Sequence, residues 1–175
     1  LYLRFQSLAD FLSKLDNLVP PAATDPRAQV ADEIAAINDL LATGKARLIE
    51  AAKPALQSGS HAFLRGVNGA LSDSGFVCGG SGPNFTQGDS TCVLNFFMVR
   101  SGAPEPTVHY NHVAAFNGSV VSAVAQVEGE STHSPYYTGS PAFVESFVEA
   151  ANLKGVEVAK ILLQRMRQKL QSHYG

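Results

Sequence analysis

The side chains of this chain best suited to chemistry lie between residues 78 and 112. This stretch holds both cysteines, Cys78 and Cys92, together with Thr86, His109 and His112. Two readings of it compete. In the first, Cys78 and Cys92 form a disulfide across the loop Gly79-Gly80-Ser81-Gly82-Pro83, a staple that the loop-closure picture makes worth about 3 kcal/mol and that implies an oxidising compartment. In the second, Cys92 pairs with His109 or His112, because a nucleophilic cysteine needs an imidazole to hold it as thiolate and a polar group to orient that imidazole.

Under the second reading Cys92 is the nucleophile, His109 the base and Thr86 the orienting or oxyanion-stabilising group. The order Thr86, Cys92, His109 resembles the Thr/Cys/His arrangement of glutamine deamidases of the chemotaxis-receptor type. That resemblance implies a cysteine-dependent hydrolase or glutamine deamidase. It spans residues 86–109 only, and Ser90-Thr91-Cys92 stands here where the family has Gly-Ser-Cys.

Other chemistries find less support. His109 and His112 are three apart on an expected strand, so they point to opposite faces and cannot share a metal. No zinc or HExxH pattern is present, and no metal or other cofactor is expected. The glycine loop lacks the lysine and hydroxyl of a phosphate-binding loop. Asp32-Glu33 and Glu128/Glu130 read as solvated surface. Lys160, Arg165, Arg167 and Lys169 form no single stripe and have no interleaved aromatics, so nucleic acid is not an expected partner.

The elements that must position these residues are legible from periodicity. Leu1, Phe5, Leu8, Phe11, Leu12 and Leu15 recur at helical spacing, and Pro20-Pro21 ends that segment. Asp25-Pro26 reads as an N-cap with proline at the first helical position, opening a second stripe of Val30, Ile34, Ile37, Leu40, Leu41 and Leu48. Gly44 interrupts this stripe, and a kink or stop is expected at Pro54. These two segments are expected to form an antiparallel helical pair. Residues 58–75 read as a short separate helix ending at Gly75.

Strands follow. Phe76–Cys78 is a short one, and Cys92–Val99 is apolar on both sides, which predicts a central strand covered on both faces. Val108–Phe116 and Ser119–Val127 flank Asn117-Gly118, a favoured two-residue hairpin turn that would pair Val108 with Val127. That register puts His112 on the apolar face with Val108, Tyr110, Ala114 and Phe116, and His109 on the polar one. Residues 129–140 read as a loop, and Ser140-Pro141 starts a last helical segment interrupted near Asn152 and Gly155.

The expected fold is α+β, an antiparallel sheet of three to four strands over about 76–127 packed against N-terminal helices and a long C-terminal helical segment. Residues 1–175 read as a single domain, with helical parts at 1–57 and 141–172. Charge is uneven: residues 66–153 carry seven acidic side chains against Arg100, whereas residues 154–175 carry five basic against Glu157. No apolar run is long enough to span a membrane. No signal peptide is visible, and residues 1–7 are kept in the fold. The expected function is a non-enzymatic, exported or lumenal domain binding a protein partner or small apolar ligand. Assembly into a homo-oligomer or larger complex is allowed, with a cytoplasmic cysteine hydrolase as the rival.

Overall fold

The structure, a computed structural model, describes residues 9, 10, 12, 25–131 and 134–175. They fall in two compact units, residues 1–44 and 45–175. Residues 9, 10 and 12 are helical; the rest of the helix expected over 1–18, and with it the antiparallel pair, lies outside the described residues.

Helix α1 runs from Pro26 to Ala70 without a stop. Its start is as expected: Asp25 Oδ1 accepts the Arg27 N–H at 3.0 Å, and Pro26 occupies the first turn, where its missing N–H costs nothing. Pro54 does not end the helix. It and Glu50, whose carbonyl loses its partner, are exposed, so water can serve that carbonyl. The expected separate helix over 58–75 is the end of this one. Burial begins at Ala52 and recurs at helical spacing through Leu56, Phe63 and Val67.

Among the described residues six strands make one antiparallel sheet: β1 (Phe76–Thr86), β2 (Thr91–Arg100), β3 (Ala103–Phe116), β4 (Val121–Val127), β5 (Glu130–Ser131) and β6 (Tyr137–Gly139). The first four lie side by side in chain order, and β5 and β6 both pair with β4. The expected loop at 129–140 therefore contributes two short strands. Helix α2 (Val144–Tyr174) closes the chain as one uninterrupted element, starting three residues beyond Pro141.

The glycine run is strand, not flexible loop. A Cβ on Gly80 would lie 2.2 Å from the Asn95 carbonyl oxygen, and one on Gly82 2.5 Å from that of Val93. These glycines let β1 approach β2 through a bulge between Ser81 and Asn84. The hairpin also departs from expectation. Asn117 Oδ1 accepts the N–H groups of Ser119 and Val120, both at 2.9 Å, so Asn117 caps the turn and Gly118-Ser119 occupy its centre. Tyr110, not Val108, pairs with Val127. Because the shift is two residues, every side chain keeps its expected face.

In the second unit the core lies between one face of the sheet and the helices. β4 alternates buried and half-buried at every position, and so does β3 from Val108 onward apart from the exposed His109. β2 is central but not covered on both faces: Asn95 is exposed on its far side, where Val93, Phe97 and Val99 are half-buried. The helices touch backbone to backbone. A Cβ on Gly66 would meet the Asn152 carbonyl oxygen at 2.1 Å, and one on Gly155 that of Phe63 at 2.2 Å.

Candidate functional site

The sheet separates the two cysteines. Cys78 stands opposite Met98 and Cys92 opposite Phe85, six positions apart along β2. At about 3.3 Å per residue this is roughly 20 Å, whereas a disulfide needs Cα atoms within about 7 Å. Both thiols are free. The expected Cys78–Cys92 staple does not exist, because residues 79–86 run along β2 instead of looping back.

Thr86, Cys92 and His109 are not brought together either. Cys92 is fully buried on the helix-facing side of the sheet, in line with Leu94 and Met98. His109 lies on the opposite face across from Phe97, their rings 6.1 Å apart, and is exposed. Thr86 is exposed at the end of β1, paired with Thr91, which pairs in turn with Ala115, six residues along β3 from His109. Burial pushes the Cys92 thiol up, the Ser60 hydroxyl 3.4 Å away working against it. A thiol so placed favours its protonated, unreactive form.

His112, not His109, shares the face of Cys92. It is completely buried, stacked on Phe63 with ring centroids 4.5 Å apart, and its Nε2 lies 2.5 Å from the Tyr136 hydroxyl. Nδ1 has no hydrogen-bond partner among the described residues. Burial lowers the pKa to about 3, since imidazolium here would carry a charge out of water and leave one N–H unmet. Cys78, half-buried beside Tyr110, has its thiol pushed up by burial, which the tyrosine hydroxyl opposes. These polar side chains face inward, Cys92 beside Ser60, His112 beside Tyr136 and Cys78 beside Tyr110. Sequence reasoning missed Ser60 and Tyr136, whose positions in an expected short helix and an expected loop gave no sign of contact.

The surface offers a different feature. Along α2, Leu163, Met166 and Leu170 join Phe76 and Tyr174 around a solvent-open apolar groove of about 570 Å³, with Arg167 and Gln171 as its polar lining. A second hollow of about 340 Å³ shares Leu163 and Arg167 and adds Ala70, Val156, Ala159 and Lys160. Leu163 is 36% exposed and Val156 45%. Among the described residues none that lines either hollow is acidic. Arg100 sits 5.8 Å from the centre of the Phe76 ring, a third cation beside the groove.

Among the described residues no three His, Cys, Asp or Glu side chains gather to hold a metal ion, and no helix is long and apolar enough to cross a membrane. Comparison with protein families, with curated proteins and with solved structures finds no match to this chain.

Proposed function

We propose that this chain is a non-enzymatic interaction domain that takes an amphipathic, acidic-flanked helix of a protein partner in the α2 groove. The observation that carries the reading is an apolar strip from Val156 to Tyr174 with Arg100, Lys160 and Arg167 around it and no acidic side chain among the described residues that line it. Its residues span about 27 Å of helix at 1.5 Å per residue. That length and openness suit a helix laid in a groove better than an enclosed small molecule, which needs most of its surface buried. The cations give the partner's sign and orientation. An oxidising compartment is no longer required, since the argument for export rested on the staple.

The test uses a synthetic helical peptide with one leucine face flanked by glutamates, and its counterpart with lysines in their place. Fluorescence anisotropy with the full chain should show binding of the acidic peptide only. Leu163→Asp and Arg167→Glu should each abolish most of it. Equal binding of the two peptides, or indifference to both substitutions, would sink the proposal.

A further inference from the structure

Helix α1 carries a second apolar surface that the groove does not use. Val30, Ile34, Ile37, Leu41 and Leu48 are each more than half exposed. With Gly44 they recur at alternating steps of four and three, a period of 3.5 residues, the seam of a helix that runs alongside another helix. Gly44 is the odd member. A Cβ there would meet nothing within 4 Å among the described residues, so no contact among them accounts for this helix-weakening residue.

We infer that two copies of the chain associate through α1, antiparallel, about a two-fold axis near Asp39. In that arrangement Ile37 faces Leu41 of the second copy, Val30 faces its Leu48, and Ile34 fills the gap at its Gly44. Leu40, 71% exposed and off the strict seam, then meets its own counterpart beside the axis. Glu33 and Arg47 share one flank of the seam, and the antiparallel order sets each against the other twice. A parallel pair would instead put Leu40 against Lys45 and Glu33 against Asn38, so composition and charge both choose the antiparallel order. The isologous contact closes on itself and stops at two copies. This inference stands apart from the α2 groove, and the two are read by different measurements.

Sedimentation velocity of the full chain across a dilution series is expected to show a species of twice 18.5 kDa. Leu41→Asp should leave only monomer with unchanged helical circular dichroism. Glu33→Arg or Arg47→Glu alone should weaken association about fivefold, two rim ion pairs being lost at once. The double variant E33R/R47E should restore it, at positions too exposed to endanger folding. A monomer throughout the series, including one whose own residues 1–18 cover the stripe, overturns the inference. So does a dimer indifferent to Leu41→Asp, or a double variant that fails to recover.

Discussion

His112 gives the sharpest test of how this core is built. Its imidazole is fully buried, and burial holds its pKa near 3 against 6.5 for the free side chain. In the unfolded chain the ring picks up a proton as pH falls through 6.5, whereas in the folded chain it stays neutral until about 3. The unfolded state thus binds more protons between those limits, and stability, complete above pH 6.5, falls as pH drops. One proton at 1.36 kcal/mol per pH unit predicts a loss of about 2 kcal/mol between pH 7.5 and 5. With a urea slope near 2 kcal/mol per molar, the unfolding midpoint should move down by about 1 M. Glu128 does not confuse this window. Burial works to raise its pKa, but Lys169 outweighs it and holds the carboxyl below 4.5, so its contribution is lost only at lower pH. His112→Gln keeps a polar group for Tyr136 and cannot titrate. Whatever its absolute stability, its midpoint should lose this part of the pH dependence. If wild type and variant fall in parallel from pH 7.5 to 5, His112 is not a buried neutral imidazole and the packing described around it is wrong.

The thiols and glycines offer two further checks. Unfolded without reductant, the chain should titrate as two free thiols; in the folded state Cys78 should alkylate faster than Cys92 by roughly tenfold or more, because Cys92 reacts only through opening of the core. Gly66→Ala should cost about 1–3 kcal/mol by forcing the helices apart. Gly69→Ala, where nothing lies within 4 Å of the new Cβ, should stabilise by up to about 1 kcal/mol in the same thermal melts. A Gly66→Ala protein as stable as wild type would refute the backbone contact.

The α+β class and the four strands between residues 76 and 127 were legible because alternation and helical stripes report burial directly, and here they dominate. The inward face of β3 and β4 was read correctly even with the wrong pairing, since a slip of two residues preserves every side chain's face. What misled were the glycines. Locally Gly79–Gly82 read as a loop, yet the role of each glycine is set by what approaches it. The Asn95 and Val93 carbonyls demand the absence of a Cβ in β1, the Asn152 carbonyl demands it at Gly66, and Gly69 meets nothing. No sequence window contains those partners. Pro54 misled for a related reason, because the exposed carbonyl that tolerates it depends on which side of α1 faces water.

The candidate site was less legible still, and the reason is the same period-two rule. Parity placed His112 inward and His109 outward, but the side on which Cys92 falls depends on the pairing of β2 with β3 across their connecting turn. That turn is the Ser101-Gly102 pair, a recognised turn dipeptide that the sequence reading passed over. Once Cys92 is opposite Ala114, it shares a face with His112 and is cut off from His109 by the sheet itself. Reactive residue types then prove to be core polar groups, each needing one local partner to be tolerated: Ser60 for Cys92, Tyr136 for His112. The groove went unseen for the opposite reason. Leu163, Met166 and Leu170 carry no chemical signature, and Arg167 and Lys160 looked like an ordinary solvated helix face. Their place in the proposed interface comes only from α2 leaving Val156 and Leu163 exposed on the side that meets Phe76, so the surface proposed for binding is set by what the fold fails to bury.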